Sequence, residues 1–304
     1  MDRQLLGTYA NGNTIVQLYS DGTKIRYIPD NEYPMPVRPE SIDLKITDRC
    51  YGVDGHLCEF CHEKSAPTGK HGDLIHRVLD DIRPGTELAI GGGNPLSHPD
   101  LEPFLVHMRD RGVICNMTLN WKHFDGHYDA VVYYIRHDLI HGVGISVNEL
   151  IPGGVMTELM CWPNIVVHTI AGIASPEVYK NLYNRDLNLL ILGYKTYGRG
   201  ATFRSEHDIS HPFNWLKDNV LDMAPHFRTV CFDNLAVEQL DMKSRLSTEV
   251  WNKFYMGDDG AFTMYIDLVN EEFARSSVSV RHPIGDMRLN EMFRVVRSER
   301  SGSK

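Results

Sequence analysis

Between residues 41 and 195 short apolar runs alternate with crossover-length segments. That rhythm limits the folds open to the chain more than any other feature. The runs fall at 42–47, 87–91, 113–119, 142–148, 164–171 and 188–195. Parallel strands need long connections, whereas antiparallel strands can be joined by tight turns, so six runs spaced this way predict one parallel sheet. Helical patterns fill the gaps. Leu74, Ile75, Val78, Leu79 and Ile82 share a face at a 3.6-residue repeat, stopped by Arg83-Pro84-Gly85. Ser97-His98-Pro99-Asp100 reads as an N-cap ahead of a stripe of Leu101, Phe104, Leu105 and Met108. Residues 125–137 and 175–184 are further helical patterns. An open doubly wound sheet and a partial barrel both fit this periodicity, and both gather a site at the carboxyl ends of the strands.

The flanks read differently. Over residues 1–30, Asn11-Gly12 and Asp21-Gly22 are hairpin-turn signals beside Thr14–Tyr19 and Lys24–Ile28, predicting a β meander. Asn31 to Pro39 holds three prolines and reads as a linker. After residue 200 the alternation fades. Helical patterns cover 213–225 and 246–254, and Thr229–Phe232 and Ala261–Ile266 look like strands. This portion predicts a smaller C-terminal region covering one open side of the sheet. Arg297 to Lys304 has no apolar residue and predicts a disordered tail.

The chain has 304 residues, 42% apolar and 23% charged, an ordinary globular balance. Its net charge of −9 and lack of a basic run argue against a large nucleic-acid interface. No apolar run approaches the roughly 20 residues that span a bilayer, so no membrane association is expected. Met1-Asp2-Arg3-Gln4 does not open a signal peptide, and the expected compartment is the cytoplasm.

Three of the six cysteines form a cluster, Cys50, Cys58 and Cys61, in the spacing C-x₇-C-x₂-C after the first strand. Three thiolates can hold three irons of a cubane and leave the fourth iron open to a ligand. The second strand ends in Gly91-Gly92-Gly93-Asn94-Pro95, where a small molecule can approach the backbone closely. Both motifs fall at the strands' carboxyl edge. Cys115, Cys161 and Cys231 are scattered and read as small hydrophobes.

These residues resemble the radical S-adenosylmethionine enzymes, over about residues 41–200. In that family a cysteine loop after the first strand of a partial barrel binds a 4Fe–4S cluster. The usual spacing is C-x₃-C-x₂-C, with an aromatic before the last cysteine. Phe60 takes the aromatic place, and Gly92-Gly93-Asn94-Pro95 matches the family's Gly-Gly-Glu-Pro except at the acid. There are two departures: the insertion Tyr51 to Leu57, and Asn94, which keeps an acceptor oxygen for the methionyl ammonium but loses the charge.

The resemblance implies a partial (β/α)₆ TIM-like barrel at 36–200. It would be preceded by a meander at 1–35 and followed by a C-terminal α+β extension at 201–296 and a tail at 297–304. It implies Cys50, Cys58 and Cys61 as cluster ligands. Phe60, Gly92, Gly93 and Asn94 would be cofactor contacts, Ser146 and Asn148 would hold the ribose, and Ile170 and Gly172 would lie near the adenine. Tyr194 and Lys195, ahead of Gly198-Arg199-Gly200, would face either the cofactor carboxylate or the substrate. The implied chemistry is reductive cleavage of S-adenosylmethionine to a 5′-deoxyadenosyl radical that abstracts hydrogen. An outside one-electron reductant of flavodoxin or ferredoxin type would supply the electron. The substrate stays open: a peptide or protein, a small metabolite or nucleotide, or a glycyl-radical partner. Phe254 to Asp267 resembles the hairpin that opens accessory domains in peptide-modifying members, without their cysteines.

Other readings stand beside this one. Cys58-Glu59-Phe60-Cys61-His62 has the form of a c-type haem attachment string, which needs export. The three cysteines with His56 or His62 could make a structural zinc site in a non-catalytic binding module. Gly91–Gly93 could be only a tight turn, and Ser146 and Asn148 only strand-end polar residues. His168 reads as a satisfied core histidine, Asp233-Asn234 as a turn or a pocket edge, Asp258-Asp259 as a hairpin tip, and His62, His71 and His76 as surface residues.

Overall fold

The computed structural model describes residues 4–19, 23–28, 32–52 and 55–300. The Asp21-Gly22 turn signal and residues 301–304 of the expected tail lie outside the described residues.

The N-terminal strands β1 (Leu5–Asn11), β2 (Thr14–Tyr19) and β3 (Lys24–Tyr27) form an antiparallel sheet of their own. The first turn sits at Gly12-Asn13, one residue later than the sequence signal. Asn11 pairs with Thr14, and Gly12 takes a φ of +65°. Asn11 is buried instead: its carboxamide oxygen accepts from the Val37 and Arg38 amides and binds the linker to the meander.

The six expected strands are all present as β4 (Ser41–Thr47), β5 (Glu87–Gly92), β6 (Ile114–Asn120), β7 (Gly142–Ser146), β8 (Ile165–Ile170) and β9 (Asn188–Leu192). They pair in parallel, in sequence order. The sheet goes further than the sequence suggested. Strand β10 (Thr229–Phe232) pairs in parallel with β9, and β11 (Thr263–Asp267) pairs in parallel with β4 on the opposite side. Strands β12 (Glu272–Ala274) and β13 (His282–Pro283) follow antiparallel at that edge. The late strands therefore widen the sheet at both edges. The stretch 254–267 is no hairpin, since only its last five residues form a strand.

The strands alternate. Ile42, Leu44 and Ile46 of β4 are buried, while Asp43 exposes its side chain to an interior cavity. Buried apolar residues on β5 to β9 continue the hydrophobic core. Helices α1 (Leu101–Asp110), α2 (Trp121–Gly126), α3 (Tyr128–Arg136), α4 (Gly153–Met160) and α5 (Pro176–Leu182) join β5 through β9. Leu101, Phe104, Leu105 and Met108 of α1 are fully buried, each contributing about 1.5–3 kcal/mol relative to exposure. The cap of α1 is Asp100, because Ser97 closes a separate 3₁₀ turn by donating to the Asn94 carbonyl. The helix expected at 74–82 is a single 3₁₀ turn, Arg77–Asp81. The Asp73 carboxylate accepts from the Ile75 amide and His76 Nδ1 from the Val78 amide, so these side chains cap the chain locally and the helical run starts only at Arg77, leaving Ile75 of the expected apolar face exposed. The pattern at 125–137 breaks at His127 into α2 and α3.

Beyond β9 come α6 (Arg199–Glu206), α7 (Ser210–Met223), α8 (Asn234–Gln239), α9 (Met242–Arg245) and α10 (Thr248–Phe254). Helix α11 (Leu289–Arg300) buries Leu289, Met292, Phe293 and Val296, so the first four residues of the expected tail are helical. Among the described residues no helix is long and apolar enough to cross a membrane.

Candidate functional site

The cysteine loop leaves β4 and folds back on itself. The Cys50 amide donates to the Ala66 carbonyl at 3.0 Å, and the Cys61 amide to the Cys58 carbonyl at 3.2 Å. The glycine run seats this loop. Gly92 has a φ of +113°, and a Cβ there would lie 2.3 Å from the Thr47 carbonyl oxygen. A Cβ on Gly93 would lie 2.2 Å from the Arg49 oxygen. With no side chains in the way, the Gly93 amide reaches the Thr47 carbonyl (2.7 Å) and the Asn94 amide the Arg49 carbonyl (2.8 Å). Gly91 has open space where its Cβ would be and borders the cavity.

A second segment grips the loop from the far side. The Arg199 Nε donates to the Cys58 carbonyl (2.9 Å), both terminal nitrogens donate to the Ser65 carbonyl (3.1 Å), and the Arg199 amide donates to the Cys61 carbonyl (3.0 Å). Gly198 approaches the loop so closely that a Cβ would fall 2.3 Å from the His62 oxygen. Tyr194 is buried, and its hydroxyl donates to the Gly200 carbonyl at 2.6 Å.

All three cysteines are free, partly buried, and line one cavity of about 490 Å³. Burial pushes the Cys50 thiol up. The Gly52 amide, donating to its sulfur at 3.3 Å, pulls the other way, Cys61 adds to the rise, and Arg199 opposes it. Burial raises the Cys58 thiol too, with Cys61 and Cys50 adding and Arg199 opposing. The charge of Cys61 thus bears on both of the other thiols. Among the described residues no three His, Cys, Asp or Glu side chains gather closely enough to hold a single metal ion. Three neighbouring thiols spread along a cavity fit a group with several separate coordination points, as a cubane has.

The cavity also touches Gly92, Gly93, Ser146, Asn148, Ile170 and Lys195, together with Phe60. The structure therefore brings most of the sequence-predicted site residues together. It leaves three aside. Asn94 is buried, and its side-chain oxygen accepts from the Leu96 amide (3.2 Å). Tyr194 is tied to Gly200, and Gly172 lines a separate cavity of about 380 Å³ beside Phe60 and Ile209. Asn148 spans two strands, its oxygen accepting from the Ile170 amide at 2.8 Å.

Sequence reasoning missed the polar residues deeper in the cavity. Lys45 reaches Asp48 (2.7 Å), Glu63 (2.9 Å) and Asp267 (3.0 Å). Burial works against its charge, but the Glu63 charge and these contacts outweigh it and raise its pKa. Burial likewise opposes the Glu63 charge, yet His62 (3.2 Å) and Lys45 hold that carboxyl well below its usual range. Lys195 donates to Ser277 (2.8 Å) and lies 3.3 Å from His62 Nε2. His168 belongs to the cavity wall and is not a satisfied core residue. Its ring lies over Gly144, its Nδ1 is buried without a partner, and burial pushes its pKa down to about 4. Asp233 caps α8 and also borders the cavity, so both readings of that turn hold. The strand alternation Ile42-Asp43-Leu44-Lys45 carried the signal for Asp43 and Lys45, since such alternation in a parallel strand marks one polar face.

No family model matches the sequence, and no curated protein matches it. Solved structures do. A structure of Streptococcus suis SuiB covers 97% of this chain and 90% of its own, at a TM-score of 0.59 and 9% identity. Streptococcus suis SuiB bound to S-adenosylmethionine covers 87% and 69%, at a TM-score of 0.55 and 12% identity. SuiB bound to the precursor peptide SuiA covers 87% and 68%, at the same score and identity. At such identities the likeness is one of fold: a mixed α/β fold built on a large parallel sheet.

Proposed function

We propose that this chain is a radical S-adenosylmethionine enzyme. The observation that carries the reading is convergence: Cys50, Cys58, Cys61, the free edge of Gly91, and Ser146, Asn148 and Ile170 all open on one cavity. The fold shared with a protein solved with S-adenosylmethionine supports the cofactor. The same fold solved with a precursor peptide favours a peptide among the substrate classes.

In this reading the three thiolates hold three irons of a 4Fe–4S cluster. When bound, the reduced cluster would give one electron to S-adenosylmethionine, which would part into methionine and a 5′-deoxyadenosyl radical able to take hydrogen from an unactivated C–H bond. The chain's own residues bind and orient. Gly91 leaves the strand edge bare, Ser146 and Asn148 offer polar atoms to the ribose, Ile170 and Phe60 offer apolar surface, and Lys195 offers a cation to a carboxylate. Leu190, Leu192 and Ala89 line the wall with apolar atoms that exclude water. Residues 36–200 form the cofactor-binding part, and 201–296 complete the cavity. A flavodoxin- or ferredoxin-type donor in the cytoplasm would reduce the cluster. The zinc-module reading has less support, because structural zinc sites are closed, whereas these thiols open on a cavity of substrate size.

Anaerobic reconstitution followed by iron, sulfide and zinc assay tests the reading. About four irons per chain, with 5′-deoxyadenosine formed from S-adenosylmethionine and dithionite, is the expected result. Stoichiometric zinc, no iron uptake and no 5′-deoxyadenosine would overturn it.

A further inference from the structure

Among the described residues, one charged side chain in the cavity has no hydrogen-bond or ion-pair partner. Lys45 is held by three carboxylates, and Glu63 by Lys45 and His62. Arg199 donates to loop carbonyls, and Lys195 donates to Ser277 and lies beside His62. Asp233 accepts from the Gly193 and Ala236 amides, and Asp259 from the Asn234 side chain. Asp43 alone, among the charged cavity residues described, makes no hydrogen bond or ion pair. It lies deep inside the molecule, yet its side chain is exposed, because what it faces is the cavity.

We propose that Asp43 is the counter-ion for a cationic group of the substrate, a primary ammonium or a guanidinium carried on an aliphatic stem. The inference rests on the cavity being the substrate chamber. Position supports it. Asp43 sits two residues before Lys45 on β4, about 7 Å further from the cysteine loop at a strand rise of about 3.3 Å per residue. The charge balance has the right sign as well. Burial, Asp233 and Asp259 all disfavour the charge on Asp43, and only Lys195 favours it, so an arriving cation relieves an unfavourable arrangement. The cavity wall suits a hydrocarbon stem, for Ala89, the cross-strand partner of Asp43, lines it together with Leu190, Leu192 and Ile170. A side chain of lysine or arginine type would lie with its charge on Asp43 and its methylenes along this wall.

Binding to the full chain tests this without the cluster, so its failure is distinct from failure of the radical reading. The probes are Nα-acetyl-lysine methylamide and Nα-acetyl-norleucine methylamide, which has a similar aliphatic stem and no ammonium, titrated by NMR chemical-shift change. The lysine probe is expected to bind at least about tenfold more tightly, and Asp43→Asn is expected to erase the difference with the circular dichroism spectrum unchanged. Equal binding, a preference that survives Asp43→Asn, or no binding of either probe would overturn the proposal. If Asp43→Asn does not fold, the comparison on the unsubstituted chain decides alone.

Discussion

At the scale of single residues, Asp43 and His168 are two side chains of the cavity whose shifted pKa values bear on stability at moderately acidic pH. Asp43 has its pKa pushed up to about 6 from an ordinary 3.8, by burial first, with Lys195 opposing and Asp259 and Asp233 adding. The native state therefore keeps this proton to higher pH than the unfolded chain does. Its destabilising charge is absent below about pH 4 and fully present above about pH 6. Asp43→Asn should accordingly raise the melting temperature at pH 8, with the gain shrinking as pH falls through 6 and gone by pH 4. His168 has the opposite sign. Its pKa is held down to about 4 by burial, so the unfolded chain takes its proton first, and stability falls as pH drops from 6.5 to 4. Replacing His168 with Gln should flatten that acid limb in melting curves taken across the same window. The alternation of β4 made Asp43 legible as an inward-facing residue. That it would lack a partner was not legible, since its neighbours Asp233 and Asp259 come from loops about 200 residues away.

At the scale of elements, the segment from Tyr194 to Gly200 governs the cysteine loop. Its basic residues had suggested contact with a cofactor or substrate, but Arg199 is spent on the Cys58 and Ser65 carbonyls. Hydrogen bonds from a charged donor are worth about 1.5–3 kcal/mol each, so Arg199→Gln should loosen the loop more than the fold. Iron bound on reconstitution should fall several-fold while far-UV circular dichroism stays the same, and Arg199→Lys should recover only part of the loss, because the planar fork is missing. Gly198→Ala should act likewise, since its Cβ would strike the His62 carbonyl. Unchanged iron uptake in all three variants would show that the segment does not hold the loop. The spacing of Cys50, Cys58 and Cys61 was plain in the sequence. The clamp was not, because it consists of backbone carbonyls, which carry no residue signature.

At the scale of the whole molecule, the six core strands could be read from their apolar runs and connection lengths, and the parallel sheet followed. The two outer parallel strands could be seen as strands but not assigned to their edges. Short runs such as Thr229–Phe232 hold no record of which partner they will find. In the fold, β10 and β11 cap the two ends of the six-strand core. A fragment ending at residue 200 would bare both of those edges, and open edges invite association. It should elute from size-exclusion columns as aggregate, and a monomeric, cooperatively melting fragment would refute this. The pairing of β4 with β11 also sets a clock on biosynthesis. Ser41 meets Thr263, so one side of the strand that leads into the cysteine loop waits for a partner that leaves the ribosome on the order of ten seconds or more later. The three thiols of the cysteine loop are therefore translated early and enclosed late, and under the proposed function cluster loading belongs to the finished chain, not to the nascent one.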